Sequence, residues 1–268
     1  MQINILGAVS AGPEGFEQTI PAQKVRTLLA VLALNVGRVV PHRALAEELW
    51  SDRPPVRLRN ALQATVTRVR HVLEGPPCER GDGSVLRSVQ HGYLLDLPRD
   101  RVDGTRFLDL CAQGSAAQRS GDPERALALL RAGLRLWRGP ALFDAGDGLR
   151  CAAAAALFDE RRLAAREDLA EALLTVGDVR QAVAELHPLV VDRPTHERLC
   201  ELLMVALYRS GRQSEALTLY HRTRRRLDAE LGLTPGADLQ RRYLEILTQD
   251  PALTQGRPGV PVPVAAAG

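Results

Sequence analysis

Hydrogen-bonding side chains are concentrated in the segment RNALQATVTRVRHVL, residues 59–73. Its arginine, amide and imidazole groups are donors suited to a partner that is rich in acceptors or negative charge. No carboxylate occurs between Arg57 and Glu74, whereas a solvated helix usually interleaves acids with bases to gain pairs four residues apart. The composition therefore favours a polar, anionic partner, although a plain basic face exposed to solvent gives the same pattern.

The same segment has the periodicity of an amphipathic helix. Aliphatic side chains at helical spacing form one stripe that must be buried: Leu62, Val66, Val69 and Leu73. A rotation of about 100° per residue places polar groups on the opposite face and on its shoulders. These polar groups are Asn60, Gln63, Thr67, Arg68, Arg70 and His71.

A small sheet and two further helices are predicted before this segment. QINIL and FEQTI alternate in polarity around the turn AGPEG, which is typical of a small antiparallel sheet. In KVRTLLAVLALNVG the apolar residues repeat at helical spacing, and Asn35 with Gly37 supplies a stop. A second helix is predicted in VVPHRALAEELW, with Pro41 near its first turn.

Two strands are predicted after the segment, in SVLRSVQHGYLLDL, around a turn at Gln90, His91 and Gly92. The predicted order is therefore a sheet, three helices and a hairpin, which is the arrangement of a winged helix-turn-helix. In that arrangement the third helix enters the major groove of DNA and the hairpin contacts the backbone beside it. The polar face of residues 59–73 then has a function, the recognition of double-stranded DNA.

A second, almost wholly helical region follows the polar joint PRDRVD at residues 98–103. A frame of Gly, four residues and Ala occurs as GDPERA, GDVRQA and GRQSEA, beginning at Gly121, Gly177 and Gly211. The last two copies are 34 residues apart, which is the tetratricopeptide period. We expect Gly in the turn between two helices and Ala where the helices cross closely. The tail, residues 251–268, lacks aromatic residues and periodicity and is predicted to be disordered.

Several of these runs together resemble the Streptomyces antibiotic regulatory protein (SARP) family. They are RTLLAVLALNVGRVV, LAEELW, RNALQATVTRVRHVL, HGYLL, GDPERALALL, LWRGPAL, LMVALYRSGRQSEAL and ELGLTP, in the family's order. The resemblance implies a mainly α-helical protein of two domains. These are an OmpR-type winged helix at residues 1–97 and an all-α, tetratricopeptide-like bacterial transcriptional activation domain at residues 103–250.

The resemblance also implies a function and partners. Members of the family are transcriptional activators that bind direct repeats near promoters as dimers. They recruit RNA polymerase, including its sigma factor, usually to the genes of a secondary-metabolite pathway. We therefore expect a pathway-specific regulator of an antibiotic biosynthetic gene cluster, which acts as a homodimer at least on DNA.

The resemblance further assigns roles to side chains of the winged helix. Those expected to read base edges are Asn60, Gln63, Thr67, Arg68 and His71. Gln and Arg suit adenine and guanine edges, respectively, through paired hydrogen bonds. Those expected to contact phosphates, directly or near the wing, are Lys24, Arg26, Thr27, Arg59, Arg70, Arg87 and His91. Gln90 and His91 stand where the family pattern has Pro or Gly, which leaves the wing's contact with DNA open.

Three features leave alternatives open. Trp137 with Arg138 in WRGP suits either a partner anchor or, as the pattern favours, packing at a helix corner. An arginine run in the helical region suits polymerase, DNA, a second protomer or solvent: Arg222, Arg224, Arg225 and Arg226. The helical array as a whole is also compatible with a ligand- or peptide-binding scaffold, or a repressor, whose winged helix serves a different partner.

No catalytic or metal-binding pattern accompanies these motifs. The 4 cysteines have no paired spacing and the 6 histidines form no HExxH, so neither a metal site nor an enzyme is predicted. The only lysine, Lys24, precedes Val25 and does not end a phosphate-binding loop, so no nucleotide cofactor is expected. Phosphorelay control through a receiver domain is not expected either. The N-terminus resembles a strand and no apolar run reaches membrane-spanning length, so a cytoplasmic, nucleoid-associated protein is expected.

Overall fold

The computed structural model describes residues 1–13, 15–51, 53–75 and 84–253, and its contacts divide the chain into two compact units. The first unit comprises Met1–Ala112 and Ala132–Leu163, and the second comprises Gln113–Arg131 and Ala164–Gly268. Most of the described residues lie in α-helices, which confirms the predicted, mainly α-helical fold class.

The first unit begins with the small antiparallel sheet that the sequence predicts. It has three strands with β2 in the middle: β1 (Gln2–Asn4), β2 (Ser10–Gly12) and β3 (Gln18–Thr19). Ile3 pairs with Ala11, and Ser10 pairs with Thr19. Strand β2 overlaps the segment predicted as a turn, because three small residues carry no alternation that a sequence pattern detects.

Three helices and a second sheet complete the winged helix. The helices are α1 (Gln23–Leu34), α2 (His42–Trp50) and α3 (Leu58–Glu74). The second sheet has the order β4-β6-β5 and contains β4 (Val39–Pro41), β5 (Leu86–Val89) and β6 (Gly92–Leu95). The sequence pattern missed β4: Pro41 ends this strand opposite Gly92 and does not lie inside a helical turn. A Cβ on Gly92 would lie 2.1 Å from the carbonyl oxygen of Val40, so β4 and β6 approach closely only with glycine there.

The core of the winged helix is formed by the apolar stripes that the sequence identifies. On α3 the four members are at most 4% exposed: Leu62, Val66, Val69 and Leu73. On α1, Leu28, Leu29 and Leu32 are fully buried. Burial of one such side chain contributes about 1.5–3 kcal/mol. Packing of the inner face of α3 therefore holds its polar face outward.

Residues beyond the wing belong to the same compact unit. The carboxylate of Asp103 accepts hydrogen bonds from the backbone N–H groups of Ile5 (2.7 Å) and Leu6 (3.1 Å). Arg138 donates to the same carboxylate at 2.7 Å. Burial raises the pKa of the Asp103 carboxyl, and these three donors partly offset that rise. The packing of the first unit thus continues past the joint predicted at residues 98–103.

Trp137 has the packing role that its sequence context favours. Its side chain is only 8% exposed. The indole meets Phe107 and Phe158 edge to face, at centroid distances of 5.3 and 6.5 Å. The guanidinium of Arg162 lies 4.4 Å from the centroid of the same ring. Three aromatic rings and one guanidinium group thus pack together in the helical part of the first unit.

Cys151 is expected to be inert toward thiol reagents in the native protein. Burial, together with the neighbouring Glu48, raises the pKa of its thiol to about 12. Because the thiolate is the reactive form, a disulfide-exchange reagent at about pH 8 should leave Cys151 unmodified. Mass spectrometry of the Cys151 peptide measures this, with urea-denatured protein as the control. Rapid labelling of Cys151 in the native protein would contradict the burial described.

The remaining helices follow a short 3-10 turn at Arg99–Arg101. They are α4 (Asp103–Arg119), α5 (Pro123–Leu134), α6 (Leu149–Val176), α7 (Val179–Asp192), α8 (Glu197–Arg209), α9 (Gln213–Leu231) and α10 (Ala237–Leu247). The repeated glycines lie in the turns between paired helices with φ of +81°, +84° and +77°: Gly121, Gly177 and Gly211. The repeated alanines are fully buried: Ala126, Ala182 and Ala216. The predicted tetratricopeptide-like arrangement is confirmed.

The end of the described chain differs from the prediction of a disordered tail beginning at residue 251. Pro251–Leu253 forms a 3-10 turn in which Leu253 is buried. The carbonyl oxygen of Leu253 accepts a hydrogen bond from Nε of Arg209 at 2.7 Å, which fixes this segment in the second unit. The prediction is therefore wrong for these three residues, and the rest of the tail lies outside the described residues.

The described part of the chain also bears on metal ions, membranes and thiols. Within residues 1–253, apart from the three gaps, no cluster of His, Cys, Asp and Glu is arranged to hold a metal ion. No helix in the described part of the chain is long and apolar enough to cross a membrane. Cys151 and Cys200 are buried free thiols, whereas Cys111 is half-buried and Cys78 lies outside the described residues.

Candidate nucleic-acid interface

The outward face of α3 carries the side chains that the sequence predicts to read bases. All five are exposed: Asn60, Gln63, Thr67, Arg68 and His71. The hydroxyl of Thr67 donates to the carbonyl oxygen of Gln63 at 3.0 Å. The other four side chains make no hydrogen bond or ion pair within the described part of the chain. The structure thus gathers these residues on one helix face and leaves their polar groups available to a partner.

The N-terminal end of α3 is electrostatically positive. Its first turn contains no acidic residue, and Arg59 is exposed there. The unpaired N–H groups of a helix N-terminus add a partial positive charge at the same end. A groove of about 790 Å³ between α2, α3 and the wing is lined by Arg59 and Gln63 on one side and by Ser88 and Gln90 on the other. This groove places a predicted phosphate contact beside a predicted base contact.

Two residues of α3, one helical turn apart, fasten the wing to this helix. Arg70 donates from Nε and Nη2 to the carbonyl oxygen of Leu86, both at 3.0 Å, and from Nη2 to the hydroxyl of Ser88 at 2.8 Å. Glu74 accepts from the backbone N–H of Leu86 at 3.2 Å and from the hydroxyl of Ser84 at 2.5 Å. We call Arg70, Glu74 and Leu86 the wing clamp. It fixes the distance between α3 and β5.

The wing clamp gives one predicted residue another partner and adds one residue. The sequence predicts a phosphate contact for Arg70, whereas its half-buried guanidinium is directed at the backbone of β5. In the sequence, Glu74 is only the first acid after a basic segment, and nothing in the pattern assigns it a role. The one available signal is the spacing of four residues between Arg70 and Glu74, which places both on the same side of the helix.

Two of the three phosphate contacts predicted in α1, Arg26 and Thr27, already have partners within the protein. Thr27 is 5% exposed, and its hydroxyl donates to the carbonyl oxygens of Ala145 (2.5 Å) and Gln23 (3.1 Å). Arg26 pairs with the carboxylate of Asp144 at 3.1 Å and also donates to the backbone of residues 20, 21 and 144. Both side chains are used in holding α1 against residues 144 and 145. They are structural residues of the first unit.

The other predicted phosphate contacts remain accessible. Lys24 is exposed, with Nζ 4.8 Å from the ring centroid of Trp50. Arg87 on β5 pairs with Asp96 at 2.7 Å, but its side chain is 60% exposed. His91 is exposed at the wing turn, and its carbonyl oxygen accepts from the backbone N–H of His42 at 3.0 Å. This last bond ties the wing turn to the start of α2.

Two protein families match the two parts of the chain described above, the winged helix and the helical region. "Transcriptional regulatory protein, C terminal" matches residues 18–95, and "Bacterial transcriptional activator domain" matches residues 102–247. The chain is 54% identical to "Transcriptional regulator RedD" of Streptomyces coelicolor over 253 residues, covering 94% of this chain and 72% of that protein. It is 37% identical to "Regulatory protein DnrI" of Streptomyces peucetius over 270 residues, covering 100% and 99%.

This chain belongs to the Streptomyces antibiotic regulatory protein family. A solved structure of EmbR from Mycobacterium tuberculosis, in complex with a low-affinity phosphopeptide, matches with a TM-score of 0.87 at 32% identity. That match covers 94% of this chain and 68% of EmbR. Membership of the family makes the chain a transcriptional regulator.

Proposed function

We propose that this chain is a sequence-specific, DNA-binding activator of transcription. The observation that carries the proposal is the outward face of α3, where four polar side chains have no partner within the described residues. The third helix of a winged helix enters the major groove, where amide and guanidinium groups pair with base edges. Base readout is assigned to Asn60, Gln63, Thr67, Arg68 and His71.

Phosphate contacts are assigned to the exposed basic residues that flank this face. They are Arg59 at the start of α3, Lys24 on α1, and Arg87 and His91 on the wing. Such contacts fix the position of the protein on the duplex and carry no sequence information. Each neutralised phosphate adds about 0.9 to the slope of log affinity against log salt concentration. Binding should therefore weaken steeply as salt rises.

The two sequence domains have separate roles in this proposal. Residues 1–97 bind DNA, and residues 103–250 contact RNA polymerase, including its sigma factor, and support dimerisation on DNA. One winged helix reads only a few base pairs, so a pair of protomers on a direct repeat gains affinity through effective concentration. The relatives RedD and DnrI are named as regulators. The target is proposed to be an antibiotic biosynthetic gene cluster, read in the cytoplasm at the nucleoid.

Arg68→Ala is expected to weaken binding to the preferred DNA sequence about tenfold. The substitution removes a guanidinium that pairs with a base edge, and one good pair of this kind is worth about 1–3 kcal/mol of discrimination. The measurement starts from random duplexes from which the wild-type chain selects a preferred site. Titration of that site and of a shuffled duplex then gives specific and non-specific affinities for both proteins.

Arg119→Ala is the matched control for Arg68→Ala. Arg119 is an exposed arginine at the end of α4, in the second compact unit, so its loss removes the same charge without altering α3 or the groove beside it. The control should bind the selected site with nearly wild-type affinity. If both variants weaken specific and shuffled DNA equally, α3 supplies only general positive charge. If the wild-type chain selects no sequence, the proposed function is wrong.

A further inference from the structure

A short stretch of α9 exposes four arginines that have no acidic partner. They are Arg222, Arg224, Arg225 and Arg226, all exposed, while Thr223 within the run and Leu227 directly after it are buried. None of the four lies within 4.0 Å of a carboxylate in the described part of the second unit. Four adjacent like charges repel one another, so this stretch costs stability unless a partner neutralises it.

The other arginines of the same unit show how different this stretch is. Arg198 bonds to Glu171 and Glu201, both at 2.9 Å. Arg212 pairs with Glu215 at 2.7 Å, and Arg242 pairs with Glu201 at 3.0 Å. In α9, Asp228 and Glu230 follow Arg224 and Arg226 at a spacing of four, yet neither pair forms. A base that precedes an acid is the less favourable order for such pairs in a helix.

The arginine run borders a groove of mixed chemistry. A cavity of about 390 Å³ is lined by His221, Arg224, Arg225, Asp228, Leu233 and Thr234. Gly232, with φ +66°, ends α9, and the backbone N–H of Leu233 returns to the carbonyl oxygen of Leu227 at 3.1 Å. This turn holds Leu233 beside the arginines with its side chain 55% exposed. An apolar side chain and two guanidinium groups therefore face the same space.

We propose that this groove binds an acidic segment of a partner protein and that an aliphatic side chain of the segment packs against Leu233. Two guanidinium groups supply bidentate bonds to carboxylates. The exposed Leu233 favours a protein segment over nucleic acid, because a phosphate backbone has no aliphatic group to pack against leucine. The inference rests on the proposed function, since it places the polymerase contact of the helical domain on this groove.

The test compares two double variants of the full chain that remove the same charge. Arg224→Ala with Arg225→Ala alters the groove, and Arg222→Ala with Arg226→Ala alters the same helix outside it. Alanine is the best helix former, so α9 is preserved in both. Promoter occupancy and transcript level are measured in the same cells. Retention of a purified Streptomyces RNA polymerase holoenzyme on promoter DNA that carries each protein is measured alongside.

The groove variant is expected to keep promoter occupancy while transcript level and holoenzyme retention fall about fivefold, roughly a 1 kcal/mol loss of contact. The matched variant should remain near wild type, and Leu233→Ser should lower transcript level without changing occupancy. The proposal that the groove binds polymerase would be overturned by an equal loss of transcript level in both double variants. It would also be overturned by a wild-type transcript level in Leu233→Ser. A parallel loss of occupancy would make the run a DNA contact instead. A wild-type chain that occupies no promoter would refute the proposed function itself.

Discussion

Replacing Asp103 with alanine is expected to lower the free energy of unfolding by about 3–5 kcal/mol. The variant loses one carboxylate that accepts three hydrogen bonds, and it leaves the backbone N–H groups of Ile5 and Leu6 buried without an acceptor. Each unsatisfied buried donor costs about 1–3 kcal/mol. Arg138 loses its ion pair as well, but its side chain is 42% exposed and regains water, so its share is smaller.

Urea unfolding followed by circular dichroism measures this change, and the midpoint should fall while the slope stays constant. Asp100→Ala is the matched control. Asp100 is an exposed carboxylate three residues earlier, without a hydrogen bond or ion pair in the described chain, so its loss should change stability by less than about 0.5 kcal/mol. Asp103→Asn keeps one acceptor and should be intermediate. A loss below about 1 kcal/mol in Asp103→Ala would show that other contacts hold β1 in place.

The hydrogen bonds of Asp103 to the first sheet also affect the interpretation of a truncated DNA-binding fragment. A fragment that ends near residue 100 lacks Asp103 and Arg138. It also lacks Asp144, whose carboxylate accepts from the backbone N–H of Val9 at 2.7 Å. We expect such a fragment to bind DNA weakly and to activate nothing, in part because the first sheet has lost these acceptors. Point substitutions in α9 therefore isolate the activation surface better than truncation does.

Local pattern was sufficient to predict the winged helix and its outward face. The stripe of α3 has a clear helical period, and burial of the stripe decides which side chains face outward. The repeated glycines were predictable for a similar reason, because each turn between two paired helices needs a residue in the left-handed conformation. In these elements the residues that determine the structure are close together in the sequence.

Roles that depend on distant residues were not predictable from pattern. Thr27 and Arg26 have the composition of phosphate contacts at a helix start, but their partners lie 118 residues away in the sequence. Arg70 likewise appears as one more base on α3 until Leu86 is placed beside it, 16 residues later. Strand β4 has only three residues and exists because β6 supplies its hydrogen bonds. A local pattern contains no information about such partners.

Removing the wing clamp by the double substitution Arg70→Ala and Glu74→Ala is expected to weaken DNA binding about 100-fold, or roughly 2.7 kcal/mol. The double variant loses every side-chain bond that the two residues make to the backbone of Leu86. The wing keeps its pairing with β4 and its bond to His42, but it loses its direct side-chain bonds to α3, so its phosphate contacts form less often together with the base contacts. When α3 and the wing are held rigidly, binding of one raises the effective concentration of the other at the DNA. The double variant loses this gain in affinity.

The salt dependence of DNA binding distinguishes two roles of Arg70: positioning the wing, or contacting a phosphate directly. If the clamp positions the wing, the double variant should lose about 0.9 in salt slope for each wing phosphate, while its relative preference among base sequences stays unchanged. Arg87→Ala is the matched control, since Arg87 lies on the same strand, is 60% exposed and leaves the clamp intact. It should lose about one phosphate contact and at most tenfold in affinity. The double variant could instead lose no more affinity and no more salt slope than Arg87→Ala. That result would show that Arg70 acts as a single basic contact, because α3 would then bind DNA in the same position without help from the wing.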